Sequence, residues 1–283
     1  MIVPAGEEHK NLQGAELIWS ELTRLEADRK AVLIVLGGGV LGDMGGFCAS
    51  TFKRGINFIL VPTTLLSQVD ASVGGKLGID FKDFKNHIGV FNEPLATIID
   101  TDFLNTLPES ELRSGFAEVI KHCLLSDKNT WEKLSAKSLA EQDWATIVPA
   151  SIAFKHSITS QDPRETGLRK ILNFGHTIGH ALETSCLSSG IKITHGEAIA
   201  AGMICETWIG HQKGLVSQAE QAAITSYLLK TFGKMRISAE NSTVLTLMKQ
   251  DKKNTDGKIL MALIQGIGNY VWDAEASAEE ITK

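Results

Sequence analysis

The sequence predicts a parallel α/β domain over residues 1–107, followed by a mainly helical domain over residues 108–283. Three observations predict it. Over the first hundred residues, short β-rich apolar runs alternate with stretches of helical period, the rhythm of βαβ units. Those runs lack polar/apolar alternation, as expected of parallel strands covered on both faces. From about Pro108 onward the strand signal nearly vanishes and helical period takes over.

Taken in order, "NLQGAELIWSELTRLEA" has helical spacing, with Leu17, Ile18, Leu22 and Leu25 as its apolar stripe. "AVLIVLG" reads as a buried strand ending at glycines. "GDMGGFCASTF" suits a helix packed closely on a sheet, and "INFILVPTT" and "LATIIDTD" are two further strands stopped by turn residues. "VPTTLLSQVDASVGGKLGID" reads as loop. In the second domain "PESELRSGFAEVIKHCLLSD" opens with proline and acids, good helix-start residues. Helical pattern continues through "WATIVPASIAFKHSITSQD", "GHTIGHALETSC", "GEAIAAGMICETWIGHQKG" and "AEQAAITSYLLKTFG". Only "ILMALIQGIG" keeps strand character there, and the chain stops in a helical segment at "AEEITK".

Composition narrows the function classes. The 283 residues are 43% hydrophobic with mean hydropathy +0.01, which describes a soluble globular chain with a substantial core. The formal net charge of −5, with no basic tail or lysine–arginine block, argues against nucleic acid as the partner. No apolar run approaches the roughly 18–20 residues of a membrane span. "MIVPAGEEHK" has acids and a proline where a secretion signal would need a basic region and an apolar core. Cys48, Cys123, Cys186 and Cys205 are scattered without a C-x-x-C, so they read as reduced thiols of a cytoplasmic protein.

Several short patterns carry chemistry. "GGGVLG" (37–42) matches G-x-G-x-x-G between a strand and a helix, where backbone amides could approach a pyrophosphate. The acid expected about 20 residues on for a ribose is absent from "LVPTT", so the turn is a phosphate cradle of another kind or a packing turn. "GGK" fails the P-loop spacing, and Leu77 follows Lys76. Arg54, Lys76, Lys85 and Asn86 fall on loops, where cations are either solvated or reading an anion. Glu118 stands among Phe116, Ala117, Val119 and Ile120; taken alone it reads as an exposed acid, and Lys121 lies one turn on along the same face. His195 precedes a helix, where a lone histidine is more often a cap than a ligand. "NFGHTIGH" (173–180) sets His176 and His180 four apart on one helix face, as a metal clamp would. A zinc peptidase would need glutamate where Thr177 stands. A catalytic zinc wants three N/O ligands and one open position. Glu118, His176, His180 and His195 are four candidates for three places.

These stretches together resemble the 3-dehydroquinate synthase family. The resemblance is carried by "GEEHK" (6–10), "GGGVLGDMGGF" (37–47), "KRGINFILVPTTLLSQVDASVGGKLGID" (53–80) and "KNHIGVF" (85–91). It continues through "LRSGFAEVIKH" (112–122), "DPRETGLRKILNFGHTIGHALE" (162–183), "HGEAIAAGM" (195–203) and "DKKNTDGK" (251–258). It is collinear over essentially the whole chain. It implies an N-terminal NAD-binding α/β domain and a helical domain that binds metal and substrate. In that family the first strands and part of the adenine pocket precede this pattern, so the resemblance implies a truncated start, a rebuilt adenine pocket or a reduced cofactor affinity. "KDFKN" around Lys85 departs from the family's P-L-G-K-N.

The resemblance further implies that NAD runs past Glu7, Lys10, Gly38, Gly39, Val40, Asp43, Thr63, Thr64, Asp70 and Lys85. The metal ligands it implies are Glu118, His176 and His195, holding Zn2+ or alternatively Co2+ or another divalent ion. His180 then lies beside the substrate rather than on the metal. Lys76, Asn86, Lys121, Lys155, Arg169, Asn173 and one lysine of "DKKNTDGK" (Lys252, Lys253 or Lys258) would hold the sugar phosphate. Arg54 resembles an arginine that crosses a homodimer interface to the neighbouring subunit's phosphate.

The implied reaction converts 3-deoxy-D-arabino-heptulosonate 7-phosphate to 3-dehydroquinate and phosphate. It runs through transient oxidation by NAD, β-elimination, re-reduction and ring closure. Another sugar-phosphate cyclase, of valiolone or inosose type, would keep the metal triad and change the substrate-facing residues; Arg169, Asn173 and His180 favour the carboxylate-bearing substrate. A polyol dehydrogenase would usually add an aspartate to its ligands. A zinc peptidase and a non-catalytic cofactor-binding remnant complete the alternatives.

Overall fold

The computed structural model describes residues 1–82, 84–234, 240–249 and 258–282. The chain divides into two compact units, Met1–Pro108 and Glu109–Lys283.

The first unit opens with helix α1 (Leu12–Arg24), capped by the Asn11 side chain, which accepts from the Gly14 N–H. Its core face is Ala15, Ile18 and Leu22, spaced three and four apart, while Leu17 and Leu25 are 51% and 60% exposed. The expected stripe is thus half wrong. Leu17 is turned about 100° from Ile18, away from the core, and Leu25 stands at the helix's C-cap. Strand β1 (Val32–Gly37) leads into helix α2 (Gly39–Thr51) and then strand β2 (Asn57–Pro62). Strands β1 and β2 pair in parallel from Val32↔Asn57 to Gly37↔Pro62. Gly45 and Gly46 let α2 lie close: a Cβ on Gly45 would meet Val35 side-chain atoms at 2.8 Å, and one on Gly46 would meet Leu77 at 2.5 Å. Close contact of α2 with β1 and with the segment that carries Leu77 is therefore written into the two glycines.

Two elements of this unit differ from expectation. β1 is parallel but covered on one face only: Val35 is buried, whereas Val32, Ile34 and Leu36 are 45%, 64% and 55% exposed. The segment read as one long loop folds instead into a wide turn at Ser67–Ala71 and then strand β3 (Lys76–Phe81). β3 pairs antiparallel with β4 (Phe84–Phe91), so Lys76, Lys85 and Asn86 lie on strands rather than loops. The third parallel strand, β5 (Ala96–Thr97), is only two residues long, and the sheet order is β1-β2-β5.

The second unit is helical as expected. It comprises α3 (Glu109–Ser126), α4 (Lys128–Ser135), α5 (Trp144–Gln161), α6 (His176–Ser188), α7 (His195–Gln212), α8 (Gln218–Phe232) and α9 (Asn241–Lys249). Helices α4 and α9 are additions to the helices that the sequence pattern predicts. The strand expected at "ILMALIQGIG" is β6 (Ile259–Ile264), and an unforeseen partner, β7 (Tyr270–Ala276), closes an antiparallel hairpin with it before α10 (Ala278–Thr282). The hairpin turn relies on Gly266 and Gly268, both at positive φ.

Backbone contact sets how α3, α6 and α7 meet. A Cβ on Gly202 of α7 would lie 1.9 Å from the Gly175 carbonyl oxygen and 2.8 Å from the Gly179 nitrogen. A Cβ on Gly196 would fall 2.2 Å from the carbonyl of Ser114 in α3. Only glycine fits at either crossing.

Candidate active site

The three helices that cross at these glycines each supply one polar side chain to a common point. Glu118 of α3 is fully buried, contrary to the exposed position it suggests in isolation. One of its carboxylate oxygens lies 3.4 Å from His176 Nε2 at the start of α6 and 3.7 Å from His195 Nε2 at the start of α7. The other oxygen is ion-paired with Lys121 Nζ, which also donates to the Leu172 carbonyl at 2.7 Å. His180, one turn beyond His176, is exposed, with ring centroids 5.0 Å from His176 and 5.8 Å from His195.

Local structure aims each ring. Gly175, at φ +80°, turns the chain into α6. His176 Nδ1 donates to the Phe174 carbonyl at 3.1 Å, which leaves the Nε2 lone pair facing Glu118. The first turn of α6 is held from behind by Glu206, a fully buried acid of α7. Its carboxylate accepts from the Gly175 N–H at 2.6 Å and the Ile178 N–H at 3.1 Å. A negative charge at a helix N-terminus complements both the helix dipole and its unpaired amides. α7 begins with a Thr194–Glu197 capping box, and its Gly196 N–H donates to Ser114 Oγ at 3.0 Å. His195 is bracketed by acids: Nε2 faces Glu118, and Nδ1 lies 3.6 Å from Glu183. Burial lowers the basicity of His195, but the Glu118 and Glu183 carboxylates outweigh it and push the pKa up to about 9.

The ligand atoms of Glu118, His176 and His195 lie within 4.8 Å of one another. One carboxylate and two imidazoles form the N/O donor set that zinc or cobalt accepts, so these side chains fit a divalent ion. Buried charges at this point demand compensation, which a cation would give as Lys121 does.

The other residues expected in this unit are placed as follows. Lys155 is buried on α5, and Arg169 is buried on the turn Leu168–Asn173, donating from Nη1 to the Pro163 carbonyl at 2.6 Å. That turn is fastened by Asp162. Burial works to raise its pKa, but N–H groups of Thr166, Gly167 and Arg169 hold its carboxyl down at about 2. Asn173 donates to Glu165 at 2.6 Å. Lys258 is exposed and ion-paired with Glu275 at 2.8 Å; Lys252 and Lys253 lie outside the described residues.

In the first unit, the N-terminus of α2 opens onto a small cleft lined by Gly38, Gly39, Asp43, Pro62, Ser67 and Ser72. A Cβ on Gly38 would approach Thr64 to 3.2 Å, and one on Gly39 would approach Ala71 to 3.3 Å. Such a cradle with helix amides at its floor suits a pyrophosphate. Lys10 and Asp43, both expected near cofactor, pair with each other at 2.6 Å. Burial raises the Asp43 pKa, and Lys10 counters it. The Thr63 N–H donates to the Gly37 carbonyl, and the Thr64 and Ser67 hydroxyls meet at 2.8 Å. Glu7 lies in the short turn before α1, Val40 in the first turn of α2, and Asp70 in the turn Ser67–Ala71.

Other residues of this unit are spread apart. Arg54 is exposed on a strained turn, φ +70°. Lys76 pairs opposite Phe91, whereas Lys85 and Asn86 lie toward the other end of β4, roughly 17 Å away at the usual strand rise. The hairpin therefore does not bring these three together. Asn86 is at φ +50°, its N–H donating to Asp80 at 2.7 Å.

Glu183, Glu206 and Asp162 were not singled out from sequence. Two of them carried a signal. Glu183 stands seven residues after His176, two turns along the same face. Glu206, like Glu118, is an acid whose immediate helix neighbours are mostly apolar or small.

Comparison with known proteins defines first the class. The fold matches the crystal structure of 2-deoxy-scyllo-inosose synthase complexed with carbaglucose-6-phosphate, NAD+ and Co2+ (TM-score 0.87, 27% identity, 98% of this chain and 79% of that one). It also matches 2-epi-5-epi-valiolone synthase from Streptomyces hygroscopicus subsp. jinggangensis 5008 with NAD+ and Zn2+ bound (TM-score 0.89, 27% identity, 99% and 79%). The architecture is thus that of the sugar-phosphate cyclases. Within that class, the 3-dehydroquinate synthase N-terminal family model matches residues 1–114 and the C-terminal model residues 115–254. A 3-dehydroquinate synthase of Pseudomonas aeruginosa (strain LESB58) is 43% identical over 279 residues, 96% of this chain and 75% of that protein. The chain belongs to the 3-dehydroquinate synthase family.

Proposed function

We infer that this chain is a lyase-type cyclase that converts 3-deoxy-D-arabino-heptulosonate 7-phosphate into 3-dehydroquinate and phosphate, with NAD and a divalent metal. The observation that carries the reading is the convergence of His176 and His195 Nε2 on one buried oxygen of Glu118, in a chain that matches both halves of this family.

Glu118, His176 and His195 would hold the metal, Zn2+ in our reading. Glu7, Lys10, Gly38, Gly39, Val40, Asp43, Thr63, Thr64, Asp70 and Lys85 would hold NAD. When bound, the pair supplies acidification of the hydroxyl to be oxidised and a reversible hydride acceptor. The chain's own residues do the rest. Lys121, held between Glu118 and the Leu172 carbonyl, keeps a positive charge where a hydroxyl must lose its proton. His180, exposed beside the two partly buried imidazoles, would move a proton without occupying the metal. Arg169 and Lys155 orient the carboxylate; Asn173, steered by Glu165, binds a hydroxyl. Lys76 would take the phosphate, whose oxygens accept the proton as it leaves; Asn86 lies too far along the hairpin to reach the same group. Arg54, exposed on its turn, suits a reach into a second copy of the chain, so we propose a homodimer, working in the cytoplasm.

Phosphate release from the heptulosonate phosphate, measured with and without NAD and a chelator, tests the reading; release that ignores both additions would sink it. The division between the paired histidines is tested separately. His176→Ala should lose metal and turnover together. His180→Ala should keep the metal and lose roughly 10²–10⁴-fold in turnover. The competing reading is a valiolone- or inosose-type cyclase, supported by the fold matches at 27% identity. The product's NMR spectrum separates the two.

A further inference from the structure

We propose that Glu183 is a positioning residue for the metal centre: its carboxylate accepts the Nδ1 proton of His195 and fixes that ring so that Nε2 faces Glu118. The proposal rests on the reading of Glu118, His176 and His195 as ligands.

The two imidazoles are backed by different acceptors. His176 Nδ1 donates to a neutral carbonyl of its own turn, that of Phe174, at 3.1 Å. His195 has a charged acceptor beside it: its Nδ1 lies 3.6 Å from a carboxylate oxygen of Glu183 on α6. Glu183 is 7% exposed, so burying its charge is costly unless a partner such as His195 compensates. A ring that gives its Nε2 lone pair to a cation must keep its proton on Nδ1, and a carboxylate there makes the ring a stronger donor than a carbonyl does. The same contact ties α6 to α7, the two helices whose glycines touch at Gly175 and Gly202.

One rival arrangement uses the same atoms. His180, Glu183 and His195 also lie close enough to ligate an ion. That requires His195 to ligate through Nδ1 while Nε2 serves the first site, which a neutral imidazole cannot do because it has one lone pair. Positioning is therefore the role consistent with one ion at the Glu118 site.

The full-length protein, stripped with a chelator and titrated with Zn2+ against a chromophoric competitor, provides the test. The unaltered chain should bind one ion. Glu183→Ala should weaken binding about 10–100-fold, and Glu183→Gln less, because the amide oxygen still accepts the Nδ1 proton. The metal-free melting temperature of Glu183→Gln should stay near that of the unaltered chain, and the visible spectrum of its Co2+ form should shift. Unchanged Zn2+ affinity in both variants, or a lowered metal-free melting temperature without loss of affinity, would overturn the proposal in favour of a purely structural acid. Two ions per chain, the second lost in Glu183→Ala, would overturn it in favour of a ligand. Full affinity in His176→Ala would instead show that the ligand assignment itself is wrong.

Discussion

The sheet of the first unit leaves Ile34 and Leu36 of β1 more than half exposed, while the second unit buries Glu118, Lys121 and Glu206 completely. Each reverses the ordinary partition of side chains, but the energetic scales differ. Apolar side chains in water forgo a gain of about 25 cal/mol per Å² and break no bond. A buried carboxylate without compensation costs several kcal/mol, so it persists only where partners surround it. Glu118 has Lys121 and two imidazoles; Glu206 has two helix amides. Buried charge is therefore the stronger pointer to chemistry.

The contrast can be broken or sharpened experimentally. The largest effect should come from Gly202→Ala, whose Cβ would strike the Gly175 carbonyl. We expect a loss of about 4 kcal/mol or more in urea unfolding, together with loss of bound metal. Next, Lys121→Met removes the cation beside Glu118 and should cost about 3 kcal/mol in the metal-free protein. Added Zn2+ should recover much of that, read as a larger metal-induced rise in melting temperature than in the unaltered chain.

A smaller effect is set by pH. The folded-state pKa of His195 is raised from 6.5 to about 9, so its contribution is complete below pH 6.5 and disappears as pH rises through 9. With the side chain 28% exposed, the metal-free protein should lose on the order of 1–2 kcal/mol across that window. His195→Gln should flatten the slope. The smallest change is expected from the double substitution Ile34→Thr, Leu36→Thr, within about 0.5 kcal/mol by the same unfolding measurement. A loss several times larger would mean that this face is covered in the working protein, and the contrast would fail.

What could be read from sequence divides along the range of the interactions. Helices α3, α5, α6, α7 and α8 and the β1–α2–β2 unit are legible because period and turn residues act locally. The hairpin β3–β4 was hidden by glycines and small hydroxyl residues that also suit a loop, and β7 by charged residues on its exposed positions. The candidate ligands could be named through family resemblance, yet Glu118 taken alone reads as surface. Its burial depends on Gly196 meeting Ser114 and Gly202 meeting Gly175, contacts between segments far apart in the chain. Glu183 and Glu206 were missed for the same reason: a helix register shows that an acid shares a face with His176, but not what the neighbouring helix places against it.

The glycine crossings also bear on which ions the protein would distinguish. Where α7 meets α6 and α3, Gly202 presses on the Gly175 carbonyl and Gly196 on the Ser114 carbonyl, so backbone meets backbone between the segments that carry His176, His195 and Glu118. The gauge of the ligand cage is thus fixed by peptide groups, which scarcely compress. Repacking the surrounding leucines and isoleucines should make the protein softer or stiffer while leaving its preference by ionic radius where it was.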